Sequence, residues 1–406
     1  MLRNFFRLTF LLFLTTGLWS LSSTSHADWK ETVGNLWEET KTKSVELTEK
    51  AEDMAKDLKD KFTPEDPVEI GIAYGTEKKD WLEWAVTEFG KTEHGKNIKI
   101  TLIPMGSVEG AKAVLEQDKR IQVWSPASSL IQSLLVEPWQ KEHNKDPILS
   151  DAPLVLTPMV IVMWEDRYEA FKAKYNEVSF KSIVSAATEK TGWTAIADKP
   201  DWGLFTFGYT KPTHSNSGLM ALVLMAYDYA GLLRDVKPEH VMDEGFINWL
   251  KTAQEGLSSE EESTNKLMDS MLRHGPSQLN GVFVYENLAL TSLKTAENRW
   301  GKLKIIYPTR SVWNDNPFFI LDVPWSSEEQ RQAAKIFQQF LLSVDAQKVA
   351  RDKFLFRPAS LELPITGEGS AFDALQDVVK TDVATIKRPS AEVLNQLIQL
   401  WKRNSE

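Results

Sequence analysis

Residues 68–129 read VEIGIAYGTEKKDWLEWAVTEFGKTEHGKNIKITLIPMGSVEGAKAVLEQDKRIQVWSPASS. Val68 to Ala73 alternates toward Tyr74-Gly75-Thr76, and Lys79 to Phe89 has helical spacing. Ile98 to Ile103 is a second strand, followed by the turn Pro104-Met105-Gly106-Ser107 and a helix from Val108 to Gln117. Ile121 to Trp124 is a third strand, and Ser125-Pro126-Ala127-Ser128-Ser129 turns into a third helix. Strands alternating with helices predict a parallel α/β sheet. Ligands of such sheets sit beyond the carboxyl ends of the strands. All three strands end in small polar loops on that one edge: Gly75-Thr76, Gly106-Ser107 and Ser125 to Ser129.

Downstream, Leu154 to Trp164 is too apolar for exposure on either face, and Pro158 bars it from a regular central ladder. It reads as a long strand crossing between two lobes near Thr157 and Pro158. Trp193 to Ala197 and Leu204 to Tyr209 then lead into FGYTKPTHSNSGLMALVLMAYDYAG, residues 207–231. There the polar turn Thr210 to Gly218 runs directly into an apolar helix. The free N–H groups and dipole of a helix start attract anions and polar ligands. Phe246 to Glu255 is helical, Gly281 to Tyr285 a strand, Glu286 to Lys294 a helix, and Leu303 to Tyr307 a strand ending at Pro308-Thr309-Arg310. Phe318 to Leu321 returns the chain to the first lobe. Glu328 to Leu342 and Asp345 to Lys353 are helices, and the tail from Asp373 reads as helical and polar. The division expected is 68–157 plus 316–406 for one lobe and 158–315 for the other.

Upstream, Asp28 to Phe62 carries Trp29, Val33, Leu36, Thr40, Leu47, Ala51, Met54 and Leu58 at spacings of three and four, which predicts an amphipathic helix. It is either a solvated spacer or a weak coiled coil or membrane-surface segment that docks a partner protein; a break around Lys43 and Ser44 weakens the coiled-coil reading. Thr63 to Pro67 is a linker, making 28–67 a unit of its own. Residues 1–27 read as a secretory signal peptide, with Arg3 and Arg7, an apolar stretch from Leu8 to Leu14 and Ser25-His26-Ala27 as a small-x-small cleavage site. An uncleaved anchor is the alternative, but the apolar run falls short of the ~20 residues a span needs.

The chain has 406 residues, with 42% hydrophobic and 26% charged residues, which suits a globular protein of two lobes. Its net charge is −10, and −12 without Arg3 and Arg7. This acidity, with no basic stripe, argues against nucleic-acid binding. With no cysteine, no disulfide, thiolate chemistry or lipid-modified cysteine is expected.

The order of these parts resembles the type II, two-lobed periplasmic solute-binding proteins, nearest to the bacterial extracellular branch related to molybdate and sulfate binders. The resemblance is carried by Val123 to Ser129, Thr157 to Val162, Pro212 to Tyr229, Val284-Tyr285-Glu286-Asn287 and Phe337 to Pro358, and covers about residues 68–360. It implies a cleft that closes on a solute and delivers it to the permease of a membrane transporter. Gly75, Thr76, Ser125, Ser128, Ser129 and the run Thr213, His214, Ser215, Asn216, Ser217 would line that cleft, with Tyr285 and Glu286 approaching from the second lobe. Oxyanion binders of this type use small hydroxyls and backbone amides, and Trp124, Lys211 and His214 depart from that pattern.

Each candidate also has a structural reading. Ser125, Ser128, Ser129, Ser215, Asn216 and Ser217 could cap helices as well as donate to a ligand. Ser107 opens a helix at the same edge. His214 could donate to an anion when protonated or sit at a rim. Tyr285 could bind ligand or be a core ring with a satisfied hydroxyl, and Glu286 reads as a helix cap. Arg310 could clamp a carboxylate or oxyanion, or form a lobe–lobe ion pair. No catalytic elbow, zinc pair, phosphate loop or dinucleotide fingerprint occurs, and the six histidines lack ligand spacing. The expectation is therefore a secreted or periplasmic binder of a small polar, anionic solute, needing no cofactor or metal and not an enzyme. The alternative is a binding or signalling module that docks a partner through 28–62 without transport.

Overall fold

Strand β1 (Val68–Tyr74) is buried from Ile70 onward and crosses a loop at such close range that only glycine fits at position 71: a Cβ there would lie 1.8 Å from the carbonyl oxygen of Arg120. The computed structural model of the chain describes residues 67–231, 235–360, 363–367 and 369–405. The signal-peptide and amphipathic-helix readings for 1–62 lie outside these residues. After β1 a 3-10 turn, Thr76–Lys78, leads into α1 (Lys79–Phe89). β2 (Ile98–Pro104) and α2 (Ser107–Leu115) follow, then β3 (Val123–Ser125), a 3-10 turn at Ser129–Ile131 and α3 (Ser133–His143). β1 lies between β2 and β3 and is parallel to both, as the alternation of strands with helices predicts. The loops after all three strands therefore share one edge.

β4 (Ile148–Pro153) completes the first sheet, and at Leu154 the chain passes into β5 (Val155–Trp164), which belongs to a second sheet. The strand expected to cross between lobes thus lies wholly on the far side of the crossing. Helices α4 (Glu165–Tyr175), α5 (Phe180–Ala187) and α6 (Trp193–Ala197) lead to the two-residue β6 (Phe207–Gly208) and to α7 (Asn216–Ala230). Every residue of α7 from Asn216 to Tyr227 is buried, as an all-round apolar sequence requires. The helix stops at Gly231, which has the left-handed φ of 60° that ends a helix. Next come α8 (Pro238–Val241), α9 (Glu244–Gly256), α10 (Thr264–His274), β7 (Gly281–Tyr285), α11 (Glu286–Arg299), β8 (Leu303–Ile306) and β9 (Trp313–Asn314). The second sheet is mixed rather than parallel. β5 is antiparallel to β7, β8 and β9, and only β6 and β7 run together.

β10 (Pro317–Leu321) returns to the first sheet, antiparallel to β3 and β4. α12 (Glu328–Leu342), opened by a reciprocal Ser327–Gln330 cap, and α13 (Val344–Phe354) cover that sheet's outer face. The chain then changes side. β11 (Arg357–Pro358) pairs with β5, and α14 (Ala391–Ser405) packs on α7, α8 and α9. β11, Phe372, Val383 and α14, expected in the first lobe, pack with the second sheet or its helices instead. The tail expected to be helical and polar from Asp373 forms a short 3-10 turn at Ala371–Leu375, and its helix starts only at Ala391. That helix is amphipathic. Val393, Leu394, Leu397, Ile398, Leu400 and Trp401 are buried, a gross gain on the order of 10 kcal/mol before the entropy of ordering.

Three buried apolar clusters result. One lies between the first sheet and α1, α12 and α13, and another between the second sheet and α10, α11 and the tail. The largest is continuous across the inner faces of both sheets and includes α7 and α14. Among the described residues no helix is long and apolar enough to cross a membrane.

Candidate functional site

The loops after β1, β2 and β3 are tied to one another by the backbone and by Ser107. Gly75 N–H donates to the Ser125 carbonyl at 3.0 Å, and Ala127 N–H donates to the Ser107 hydroxyl at 3.0 Å. Ser125, fully buried, donates its hydroxyl to the Pro317 carbonyl at 2.8 Å, so it fastens the returning strand. Ser128 caps the Leu130 N–H. Ser129 donates its N–H to the Asp315 carboxylate at 2.8 Å and accepts from Arg388 at 3.2 Å. Thr76 stands half-buried at the head of the 3-10 turn.

The turn before α7 reaches across to the first sheet. The His214 carbonyl accepts the N–H groups of Val108 (2.9 Å) and Glu109 (3.2 Å), in the first turn of α2. A helix start that the sequence offers to an anion is thus occupied by a protein carbonyl, while the His214 ring bonds the Thr213 hydroxyl at 2.8 Å. Gly106 makes this approach possible, because a Cβ there would lie 2.1 Å from the His214 oxygen. Gly106→Ala is therefore expected to push the 213–215 turn off α2. Small-angle scattering should then show a larger radius of gyration with the circular dichroism spectrum unchanged.

Behind the turn, Ser217 is bonded by three hydroxyls: Thr210 at 2.7 Å, Ser215 at 3.1 Å and Thr264 at 2.7 Å. A hydroxyl has one donor and two acceptor sites, so Ser217 is saturated within the protein. Asn216 is fully buried and donates through Nδ2 to the Tyr285 hydroxyl (3.1 Å) and to Asn314 Oδ1 (2.9 Å). Burial and then the charge of Glu77 push the Tyr285 phenol well up, so it stays protonated.

Arg310 acts electrostatically on Tyr227 and Asp228 at the far end of α7, about 18 Å along the helix from Asn216. Burial raises the Asp228 carboxyl, and the Phe180 N–H, which donates to it at 2.7 Å, opposes that rise, as does the Arg310 charge. Arg310 follows β8, whose antiparallel register on β5 runs toward the crossing, and its charge is felt at α7's C-terminal turn.

The edge loops of one sheet and the helix start of the other therefore meet at the strands that join the sheets. The profile of the bacterial extracellular solute-binding proteins matches residues 70–355. The chain belongs to that family.

Three solved structures are similar in fold. A periplasmic thiamin binding protein shares 13% identity at a TM-score of 0.57, covering 85% of this chain and 98% of that one. Maltose-bound MalE3 of T. maritima shares 13% at 0.55, covering 83% and 94%. The sulfate-binding protein SubI from Mycobacterium tuberculosis shares 14% at 0.50, covering 78% and 94%. No curated protein matches the chain in sequence. The α/β two-sheet architecture is that of these binding proteins.

Within this solute-binding chain, several residues at the junction escape a reading of the sequence. Lys78 is fully buried, and its Nζ donates to Glu77 Oε1 (2.6 Å), the Pro126 carbonyl (3.2 Å) and Asn316 Oδ1 (3.1 Å). Burial lowers the Lys78 ammonium and Glu77 opposes that shift. Asn316, at φ 44°, donates to the Val155 carbonyl (3.1 Å), and Asn314 donates to the Thr157 carbonyl (3.1 Å). Each crossing segment is thus stitched to the other by an asparagine side chain. Asn287 bonds Thr157 and donates to the Glu77 carbonyl at 3.4 Å. Among the described residues no group of three or more His, Asp or Glu gathers as a metal site would require.

Proposed function

We propose that the protein is a periplasmic solute-binding component that closes its two lobes on a small polar solute and presents it to a membrane transporter. The observation that carries this reading is the meeting of the β1–β3 edge loops with the start of α7 at the crossing strands, where Asn216, Tyr285, Glu77 and Lys78 are all buried. Thr76, His214, Asn216 and Tyr285 remain the ligand-facing candidates of the sequence. Ser107, Ser125, Ser128 and Ser217 hold the site's frame through the bonds they already make. Family membership supports solute binding. The names of fold neighbours that bind sulfate, thiamin and maltose leave the ligand open. A solute favouring the closed arrangement would shift the lobes toward it by its differential affinity.

Native mass spectrometry of protein released from the periplasm is expected to show a mass above that of the denatured chain, removed by unfolding. Equal native and denatured masses, with no stabilising response to any added solute, would count decisively against this function.

A further inference from the structure

We infer that the solute is an uncharged, donor-rich molecule, a sugar or polyol, rather than an oxyanion. The inference rests on the solute-binding reading above and names the class of ligand for that same site. Its first support is the orientation of Asn216. The amide of Asn314 is fixed, since its Nδ2 donates to the carbonyls of Thr157 (3.1 Å) and Val312 (3.3 Å). Asn314 must then show its Oδ1 to Asn216, and Asn216 must answer with Nδ2. That leaves the Asn216 Oδ1 as a fully buried acceptor, and among the described residues it has no partner. Leaving such a group unmet is costly. A hydroxyl of a solute can meet it, whereas sulfate, molybdate or a carboxylate brings acceptors only.

The second support is charge. Two carboxylates, buried Glu77 and part-buried Asp315, face two cations at the junction. Lys78 is paired with Glu77 at 2.6 Å, and Arg388 reaches Ser129, whose N–H already serves Asp315. Among the described residues at the junction the two cations are matched in number by the two carboxylates, and an anion would be placed beside the Glu77 carboxylate in a dry site. The third support is the His214 carbonyl, which takes the α2 N–H groups that an oxyanion would use.

The test is thermal denaturation and titration calorimetry of the full chain with two sets of probes. One holds hexoses, pentoses and linear polyols; the other holds sulfate, molybdate, phosphate and a dicarboxylate. A sugar or polyol is expected to raise the melting temperature while the oxyanions leave it unchanged. Tyr285→Phe, which removes the hydroxyl beside Asn216, should weaken that binding by about tenfold. An oxyanion binding more tightly than every neutral probe overturns the inference and leaves the solute-binding reading standing. So does a neutral solute whose affinity is the same for wild type and Tyr285→Phe. No response to either set overturns the solute-binding reading itself, and the inference falls with it.

Discussion

Arg357→Met is expected to lower folding stability by about 3–5 kcal/mol, the usual consequence of stripping a buried ion of its partner. Arg357 stands in β11, and its guanidinium grips the fully buried Glu286 with both prongs, Nε to Oε2 at 2.8 Å and Nη2 to Oε1 at 2.6 Å. The Tyr307 hydroxyl donates to the same carboxylate, and burial, reinforced by the Glu286 charge, pushes that phenol far up, so its proton stays in place. Glu286 is also the first residue of α11, where a negative charge suits the helix dipole. The guanidinium lies over the Trp313 ring, 4.9 Å from its centre. Methionine would keep much of the packing and remove all of the charge, leaving the carboxylate with Tyr307 alone. Urea denaturation should show the loss. The double variant Arg357→Met, Glu286→Leu should regain most of it, because no buried charge then remains. A single variant within 1 kcal/mol of wild type (about the scale of an exposed pair) would mean that the carboxylate is solvated in solution.

How much of this was legible in the sequence follows from which physical signal each part carries. β1 to β3 are separated by helices, each ends in small polar residues, and parallel pairing places those ends together, so this edge of the candidate site could be read directly. The start of α7 was equally plain, since Thr210 to Gly218 changes abruptly into a run that is apolar on every side. The other half of the site carries no such contrast. Glu77-Lys78-Lys79 holds no apolar residue to mark burial, yet the first two are buried and the third is exposed. Asn314-Asp315-Asn316 carries no periodic signal, and only the pairing of β5 with β9 turns it into the stitch between sheets. The stripe Val393, Leu394, Leu397 and Trp401 says that α14 must be covered but not by which lobe. Its docking on the second depends on non-local contacts, such as Trp401 Nε1 donating to the Tyr209 hydroxyl at 3.2 Å. Arg310 is of the same kind: β8, antiparallel to β5, runs toward the crossing, but the chain between β8 and β9 carries no periodic signal that says which groups its charge meets.

Lys78→Met is expected to have an effect of similar size at the junction itself, about 3–5 kcal/mol, because it exposes three unmet acceptors at once. All three ammonium hydrogens of Lys78 are committed: to Glu77, to the Pro126 carbonyl and to Asn316 Oδ1. The first partner is a buried carboxylate, the second belongs to the loop after β3, and the third is the residue that stitches the returning strand to Val155. Removing the ammonium therefore leaves Glu77 charged in a dry place and the Asn316 Oδ1 without its donor. Lys78→Arg offers no rescue, since a planar fork cannot replace a point donor with three divergent bonds in a fully buried space. Glu77→Gln combined with Lys78→Met removes the stranded charge and should recover part of the loss. The part not recovered measures what Pro126 and Asn316 contribute. Chemical denaturation of the two single variants and the double variant closes this cycle. If the two single losses simply add in the double variant, Glu77 and Lys78 do not act as a pair, and the balance of charge at the junction must be sought elsewhere.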